Sequence, residues 1–449
     1  MIDPKRPSVA IIGGGASGVL MAAHLLADPA RELHVTLIEK AGRVGRGLAY
    51  STSHDEHLLN VPARGMSAFA DQPRHFLDWL RTRRPDVPDD GWIFAPRAEY
   101  GRYLAHVLEQ AGRSRAGRLT VLNETVLDLV ETETGVAVAL GDGGSVSADF
   151  AVLAVGHEVR PARSRGVAVR LGSEADTPLD PDAAVMILGS GLSMVDVWLS
   201  LADAGHTGPI TVLSRNGLLP RSHRNLPPIE IGAADVPFGT SLTHVVKWFR
   251  GLVADTERQG GDWRSVVDGL RPHNQRLWQS WSEPTRRQFL RHLRAWWNVH
   301  RHRLAPDLHQ RLDAAIRSGQ VSLVAGEFLD VVQSGEGAVA TIRPRGGTVT
   351  REVTVDRVYD CGGVSVDISA STNPVVAELV RRGRARPDAL HIGLDVTDAC
   401  AMLGADGTPS ERIQVIGPLT RGQFFEIEAV PDIRRQAANI AARILAATP

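Results

Sequence analysis

The chain has 449 residues, of which 43% are hydrophobic and 22% charged, and its formal net charge is −1. This length predicts two or three domains with a sizeable core, and the near-neutral charge offers no global field for nucleic acid or an anionic membrane. The chain has only two cysteines, far apart in sequence, which argues against a disulfide framework or a zinc site. No apolar run reaches the ~18 residues of a membrane span, and none forms a signal peptide. We therefore expect a cytoplasmic α/β protein.

The first predicted unit is the strand, glycine loop and helix in "PSVAIIGGGASGVLMAAHLL". Gly13, Gly15 and Gly18 form a G-x-G-x-x-G pattern. The first glycine makes a tight turn, the second admits a pyrophosphate, and the third lets the helix pack on the strand. The pyrophosphate would lie at the helix N-terminus, where free N–H groups favour negative charge. The following strand, "HVTLIEK", ends at Glu39, an acid placed to bind ribose hydroxyls. This order predicts an adenine dinucleotide site.

A second unit of this kind is predicted in "AAVMILGSGLSMVDVWLSL". Gly189 and Gly191 match the pattern, but Met194 replaces the third glycine and weakens it. The next strand ends at Ser214 without an acid, and Arg215 follows. Because Arg pairs with a 2′-phosphate and an acid would repel it, we interpret this site as binding NADPH rather than NADH. The alternative is that Arg215 is a solvated loop charge.

Two dinucleotide folds in one chain usually hold one resident FAD and one visiting nicotinamide. "ADFAVLAVGH" and "VDRVYDCGG" each read as a strand that ends in a small-residue turn, consistent with segments crossing between domains. "RIQVIGPL" is a strand leading into Gly417, and the helix after it carries Pro431 near its first turn. That helix N-terminus could face the flavin. The predicted fold is therefore two Rossmann-like domains, with a discontinuous FAD domain (1–165 and 326–449) and an inserted NAD(P)H domain with a helical segment (166–325).

The middle of the chain, from about Asn225 to Pro306, is predicted to be helical and holds most of the tryptophans. In "RRQFLRHLRAWWNVHRHR", an apolar stripe at helical spacing has two interpretations, a core face or a substrate cage. The stripe comprises Phe289, Leu293, Trp296 and His300. The neighbouring histidines lack the acid or cysteine that a metal site would need, so no metal is predicted. The role of this segment stays open.

Several segments together resemble a family of bacterial FAD/NAD(P)-binding proteins that includes an FAD-dependent urate hydroxylase. They are "GLAYST", "HLLNVPARGMSAFADQPRHFLDWL", "RAEYGRYL", "GSGLSMVD", "SRNGLLPRSH", "NVHRHR" and "GPLTRGQFFEIEAVPDIRRQA". They span nearly the whole chain and are specific in combination. The resemblance implies FAD and NAD(P)H chemistry, but not a substrate, because members differ in substrate.

The stretch after the first fold is more distantly similar to class B flavin-containing monooxygenases. Those enzymes carry an Asn, then a Met with small residues, then Asp-x-Pro, echoed here by Asn60, Met66, Ser67, Asp71 and Pro73. The resemblance implies that Asn60 lies beside the flavin and nicotinamide and supports a C4a-hydroperoxide. An amide can both donate and accept there. The alternative is an ordinary turn Asn.

The preferred hypothesis is an FAD-dependent, NAD(P)H-using monooxygenase that hydroxylates a small nucleophile, such as an amine or an electron-rich heterocycle like urate, with O2. The alternatives are a flavin reductase or oxidase without a hydroxylated product, and a non-catalytic flavin-binding protein. A disulfide reductase would need a redox-active cysteine pair, which the sequence lacks. Asn60 is the candidate catalytic residue, and the candidate substrate residues, each with an equally plausible surface interpretation, are His57, Arg64, Tyr100 and Arg102.

The motifs and the resemblance together nominate cofactor-binding residues along the whole chain. For FAD they are Gly13, Gly15, Ala16, Ser17, Gly18, Glu39, Lys40, Gly47, Leu59, Asn60, Met66, Val126, Gly156, Gly417, Val430 and Ile433. For NADPH they are Gly189, Gly191, Ser193, Ser214 and Arg215.

Overall fold

The structure is a computed structural model that describes residues 6–28, 30–113, 117–159, 168–173, 176–335, 337–363 and 367–448. The predicted boundary at residue 165 lies outside the described residues. In chain order the first elements are β1 (Ser8–Ile12), α1 (Ala16–Leu25), β2 (His34–Ile38), α2 (His75–Arg83), α3 (Arg97–Arg113), β3 (Leu119–Leu122), β4 (Val126–Glu131), β5 (Val136–Leu140), β6 (Ser145–Ala148) and β7 (Phe150–Leu153).

The middle of the chain contains a second set of strands and most of the helices. The elements are β8 (Ala168–Val169), β9 (Val185–Leu188), α4 (Leu192–Asp203), β10 (Ile210–Ser214), α5 (Leu242–Arg258), α6 (Trp263–Leu270), α7 (Asn274–Gln279), α8 (Glu283–His292), α9 (Arg294–Arg301) and α10 (Pro306–Arg317). The helical segment therefore begins at Leu242, later than the predicted start near Asn225, because the stretch before it is rich in Pro and Gly.

The last elements complete both sheets. They are β11 (Val321–Ser334), β12 (Gly337–Pro344), β13 (Arg351–Val355), β14 (Arg357–Asp360), α11 (Pro374–Arg381), β15 (Ala401–Leu403), β16 (Pro409–Val415) and α12 (Val430–Ala447).

Two largely parallel sheets organise the molecule. The first has the order β15-β16-β7-β1-β2-β3, and its strands are parallel except for the β15–β16 pair. The second has the order β13-β12-β11-β10-β9-β14-β8, with antiparallel pairing only among β11, β12 and β13. A third, antiparallel sheet is β4-β5-β6. The prediction of two Rossmann-like units with a helical segment is confirmed.

The second sheet extends further along the chain than predicted. The predicted division at residue 325 falls inside β11, and β11 to β14 all pair within the second sheet. The chain returns to the first sheet only with β15. β11 pairs in parallel with β10 up to Ala325 and antiparallel with β12 from Gly326, so one strand serves both pairings.

Each sheet has its own apolar core. α1 and α12 pack together on one face of the first sheet, in a core that also contains Leu59, Met66 and Ile433. The second sheet is covered by α4 and α10. No described helix has both the length and the apolarity needed to cross a membrane.

Candidate functional site

The loop between β1 and α1 depends on glycine at two positions. Gly13 has a φ of +107°, and a Cβ there would lie 2.5 Å from the Ala154 carbonyl oxygen. A Cβ on Gly18 would overlap the Gly13 carbonyl oxygen. The glycine at 13 lets the loop pack on Ala154, and the glycine at 18 lets α1 pack on the loop, as the sequence pattern predicts.

The backbone at the start of α1 is also not covered by side chains. Gly15 precedes the helix and its first turn has no side-chain cap. Gly47, with a φ of +48°, faces it, and a Cβ on Gly47 would lie 3.3 Å from the Gly15 Cα. Ala16 and Ser17 open the helix, and Ser17 is buried. An uncapped helix N-terminus beside two glycines fits a pyrophosphate.

Glu39 follows β2 and holds the glycine loop. Its Oε2 accepts from Gly14 N at 2.7 Å, and its Oε1 accepts from Ala41 N at 2.8 Å. A carboxylate has about four acceptor positions, so both oxygens keep capacity for ribose hydroxyls. Lys40 beside it is exposed. The observed position of Glu39 fits the role predicted for it.

The C-terminal part of the chain contacts this loop directly. Gly417, with a φ of +74°, packs so closely on Ser17 that a Cβ would overlap the Ser17 hydroxyl. Its N–H donates to Gln436 Oε1 at 2.7 Å. α12 begins at Val430 without a side-chain cap, so a second free helix N-terminus is available near α1.

The remaining predicted FAD positions are spread around the same sheet. Val126 begins β4 and is buried in the core on the face of the sheet opposite α1. Gly156 follows β7 with a φ of +72°, and a Cβ there would meet no atom within 4 Å. Leu59, Met66, Val430 and Ile433 are buried in the core that contains α1.

Asn60 lies at the junction of the two sheets' domains. Its neighbour Leu58 packs against the core of the second sheet, whereas Leu59 belongs to the core of the first. The Asn60 side chain is half-buried, and its amide makes no hydrogen bond with any residue that the structure describes. A turn Asn would normally hydrogen-bond nearby backbone. The free amide therefore favours a ligand-binding role over the turn interpretation.

His223, which sequence reasoning missed, fixes the backbone at Asn60. Its Nε2 lies 2.9 Å from the Asn60 carbonyl oxygen, and its ring packs against Trp92 and Phe94. Burial, reinforced by the charge of Arg303, lowers the pKa of His223 to about 4. The neutral imidazole donates from Nε2 to that carbonyl. The only sequence signal was its position at the end of "SRNGLLPRSH".

The lowered pKa of His223 makes stability depend on pH. Below pH 6.5 the unfolded chain binds a proton on this histidine that the folded chain excludes, so stability falls with pH until about pH 4. Between pH 7 and pH 5 this group contributes about 2 kcal/mol to that loss. Between pH 7 and pH 5, we expect His223→Gln to lose about 2 kcal/mol less free energy of unfolding than the parent, measured by urea unfolding. His244→Gln, at an exposed histidine, is the control and should follow the parent. Identical pH profiles for both variants would contradict the assignment.

The second glycine loop is more open than the first. Gly189 has a φ of +100° and lies under the Cys361 carbonyl oxygen, 2.8 Å from where a Cβ would be. Gly191 precedes α4, which has no side-chain cap, and a Cβ on Gly191 would meet no atom within 4 Å. Met194 is fully buried in the core of the second sheet. Space for a pyrophosphate therefore exists although the third glycine is missing.

The end of β10 supplies one structural and one free polar residue. Ser190 Oγ donates to Ser214 Oγ at 2.8 Å, so Ser214 helps to hold the loop. Ser193 and Arg215 are exposed, and Arg215 makes no ion pair with any residue that the structure describes. A free guanidinium at this strand end fits a 2′-phosphate.

Arg215→Gln is expected to weaken NADPH binding about 10-fold, because one charge-assisted phosphate contact is lost. NADH binding should not change, since NADH has no 2′-phosphate. Arg317→Gln, on the far helix α10, serves as the matched control. Calorimetric titration of each protein with both nucleotides measures the effect, and an equal loss for NADH and NADPH would contradict the predicted role.

The four candidate substrate residues have different environments. His57 is buried, and its Nε2 contacts the Asp196 carbonyl oxygen at 3.0 Å and Ser200 Oγ at 3.1 Å on α4. Tyr100 is fully buried in the core of the first sheet, where burial raises its pKa well above the usual value. Arg64 and Arg102 are exposed. Arg102 pairs with Glu99, so its position favours the surface interpretation.

A buried ionic cluster joins the helical segment to the segment before α12. Glu426 Oε2 lies 3.2 Å from Arg301 Nε and accepts from Asn274 Nδ2 at 2.9 Å. Glu426 Oε1 accepts from Trp297 Nε1 at 2.6 Å. Burial acts to raise the pKa of Glu426, but the charges of Arg301 and His302 and the hydrogen bonds from Trp297 and Asn274 together outweigh it, so the pKa lies below its usual value. Sequence reasoning missed this cluster.

The two cysteines are free and contact different cores. Cys361 lies after β14 and Cys400 before β15, and both are free. Burial raises the pKa of Cys361 to about 12 and that of Cys400 to about 11. Thiolates are the reactive form, so neither residue suits dithiol exchange. Among the described residues, no group of three His, Cys, Asp or Glu side chains is placed to bind a metal.

Residues 10–158 match the model of a family described as FAD-NAD(P)-binding. An uncharacterised protein of Mycobacterium tuberculosis is 23% identical over 99% of this chain and 96% of its own length. The monooxygenase ptmN of Penicillium ochrochloron is 28% identical over 50% of this chain and 37% of its own. The family match supports the predicted cofactor class.

Two solved structures show how widely the fold is shared. The ornithine N-hydroxylase of Kutzneria sp. 744 superposes with a TM-score of 0.67 at 14% identity, covering 99% of this chain and 100% of that one. The bacillithiol disulfide reductase of Bacillus cereus superposes with a TM-score of 0.54 at 16% identity, covering 98% and 99%. The predicted fold is confirmed, and the choice between oxygenation and reduction rests on the site itself.

Proposed function

We propose that this chain is an FAD-dependent monooxygenase that uses NADPH and O2. The observation that carries the proposal is the free amide of Asn60 at the junction of the two dinucleotide-binding units. A reductase needs the two nucleotide sites, but it does not need an unpaired amide between them. An amide held there can donate to a reactive oxygen and accept from a nicotinamide.

In the proposed function, the residues of this chain bind and orient the two cofactors and shield the reactive oxygen. The loops at Gly15 and Gly191 hold the two pyrophosphates, Glu39 binds a ribose, and Arg215 pairs with the 2′-phosphate. His223 holds the Asn60 backbone, so the free amide keeps a fixed position. Bound FAD supplies hydride acceptance and oxygen activation, which no side chain can provide.

The names of two similar proteins support this proposal over its alternatives. One is an ornithine N-hydroxylase described with reduced FAD, NADP+ and L-ornithine, and the other is a monooxygenase.

The domain division proposed with this function keeps the FAD domain discontinuous, with the second sheet and the helical segment between its parts. The substrate proposed from the sequence is a nucleophile, either an amine or an electron-rich heterocycle such as urate.

A disulfide reductase is the main alternative, because such an enzyme shares the fold. It would need two thiols that exchange, and here burial raises the pKa of both Cys361 and Cys400. An oxidase or quinone reductase does not need cysteines, so only the fate of O2 separates it from a monooxygenase.

Anaerobic addition of NADPH to the FAD-loaded protein tests the first half of the proposal. The flavin absorbance is expected to bleach faster with NADPH than with NADH. Gly191→Val should keep the flavin but bleach at least about 10-fold more slowly, because its side chain enters the space kept for a pyrophosphate. An unbleached flavin in the parent protein would support a non-catalytic flavin-binding protein instead.

A further inference from the structure

The loop that follows β10 is hydrogen-bonded to the second glycine loop. Ser190 Oγ, in the glycine loop, lies 2.8 Å from Ser214 Oγ and 2.5 Å from the Leu218 carbonyl oxygen, within hydrogen-bond distance of both. The Gly217 N–H donates to Ser214 Oγ at 3.2 Å. Residues 214–218, which include Arg215, are therefore held beside the loop proposed to bind the pyrophosphate of NADPH.

The same loop packs on the middle of β11. Ser214 and Ala325 are partners in the parallel pairing of β10 with β11. Gly217 has a φ of +60°, and a Cβ built on it would lie 3.0 Å from the Ala325 Cβ. The loop that carries Arg215 therefore folds over the face of the sheet from which the Ala325 side chain projects.

Arg345 lies beside Ala325, immediately after β12. Its N–H donates to the Ala325 carbonyl oxygen at 2.9 Å, which continues the antiparallel register of Gly326 with Pro344 by one residue. Residues directly opposite each other in such a pair project from the same face, with Cβ atoms about 4.5–5.5 Å apart. The Arg345 side chain therefore leaves the sheet on the face over which the Arg215 loop folds.

This arrangement brings two arginine side chains to one place. Arg215 lies two residues before Gly217, in a turn whose Gly217 N–H is 3.4 Å from the Ser214 carbonyl oxygen. Gly217 and Arg345 are both neighbours of Ala325 on the same face of the sheet. Because arginine has a long, flexible stem, both guanidinium groups can reach a single anion held above Ala325.

Neither guanidinium group is neutralised within the part of the chain that the structure describes. Arg215 and Arg345 are exposed, and neither forms an ion pair with a described residue. Glu327, two residues beyond Ala325 and on the same face, pairs with Arg343. Two like charges close together repel, and a bound phosphate would replace that repulsion with charge-assisted hydrogen bonds.

Two other arginines that follow β10 make contacts with the helical segment. Arg224 Nη1 pairs with Asp262 Oδ2 at 2.9 Å, just before α6. The Arg221 N–H donates to the Val299 carbonyl oxygen on α9 at 2.9 Å. The arginine that accompanies Arg215 therefore comes from the end of β12, far along the chain.

We propose that Arg345 binds the 2′-phosphate of NADPH together with Arg215, and is thereby a second residue that determines the coenzyme preference. The inference rests on the proposed function, because it assigns a coenzyme contact in the same enzyme. Guanidinium groups bind phosphate through paired, charge-assisted hydrogen bonds. NADH gains nothing from them, because it carries a hydroxyl group in place of the 2′-phosphate.

Calorimetric titration of the FAD-loaded protein with NADP+ and NAD+ measures this contact independently of turnover, since neither coenzyme can reduce the flavin. Arg345→Gln is expected to weaken NADP+ binding about 10-fold and to leave NAD+ binding unchanged. Arg345→Lys keeps the charge without the planar fork and should lose less. Arg351→Gln is the matched control and should bind both like the parent. Arg351 is exposed on β13 opposite Ile342, and so on the other face of the sheet.

The double variant Arg215→Gln/Arg345→Gln tests whether both side chains serve the same phosphate. It is expected to lose most of the parent's preference for NADP+ over NAD+. An Arg345→Gln protein that binds NADP+ like the parent, or that loses affinity for NAD+ by the same factor, would overturn the proposal. A parent protein without a preference for NADP+ would also overturn it.

Flavin reduction by NADPH separates this inference from the proposed function. Weakened NADP+ binding in Arg345→Gln, with a parent flavin that NADPH does not bleach, would support the phosphate contact and refute the proposed function. Normal bleaching of the parent, with unchanged NADP+ affinity in Arg345→Gln, would refute this inference alone.

Discussion

Glu426→Leu is expected to lower the free energy of unfolding by about 3–5 kcal/mol. The carboxylate is 8% exposed and Arg301 is 6% exposed, so the substitution leaves a buried guanidinium without its counter-charge. It also leaves Asn274 Nδ2 and Trp297 Nε1 without their acceptor. Urea unfolding followed by tryptophan fluorescence measures the loss.

Two further variants isolate the cause of that loss. Glu327→Leu breaks an exposed ion pair with Arg343 and is expected to cost at most about 1 kcal/mol. The double variant Arg301→Met/Glu426→Leu should lose less than the sum of its single substitutions, because it removes both buried charges. A Glu426→Leu protein as stable as the Glu327→Leu protein would show that the cluster contributes little.

Asn60→Ala is expected to lower coupled turnover about 100-fold, as for removal of one preorganised hydrogen-bond donor. NADPH oxidation should continue, and the O2 that it consumes should appear as hydrogen peroxide. Stability should change little, because the side-chain amide makes no hydrogen bond with a described residue and His223 binds the backbone carbonyl. Parallel assays of NADPH consumption and peroxide release measure this uncoupling.

Asn298→Ala is the matched control for Asn60, since Asn298 is exposed on α9. It should behave like the parent in both assays. If Asn60→Ala kept the parent's ratio of peroxide to NADPH, the amide would have no shielding role. A large loss of stability instead would indicate that the Asn serves the local fold.

The glycine loops and the two Rossmann-like units could be predicted because their determinants are local in sequence. Gly13, Gly15 and Gly18 lie within six residues of one another, and Gly18 packs against the Gly13 carbonyl oxygen. Glu39 follows the next strand along. A short pattern of this kind determines the conformation of its loop, so the sequence alone indicates where a pyrophosphate fits.

Contacts between distant residues could not be predicted in the same way. His223 and Asn60 are 163 positions apart, and Arg301 and Glu426 are 125 apart. A buried His or Arg has no sequence signature that names its partner, because the partner depends on how the units pack. The sheet to which a strand belongs is equally hard to predict. The sequences of β11 to β14 would suit a strand of either sheet, and only their hydrogen bonding with neighbouring strands assigns them to the second sheet.

The fate of oxygen tests the central claim most directly. The FAD-loaded protein would be supplied with NADPH and isotopically labelled O2 together with amines and urate, and any compound that accelerates NADPH oxidation would be analysed by mass spectrometry. A monooxygenase places one labelled oxygen atom in that compound and the other in water. If a compound accelerates NADPH oxidation while all the label appears in hydrogen peroxide or water, the protein is an oxidase or a reductase and not a monooxygenase.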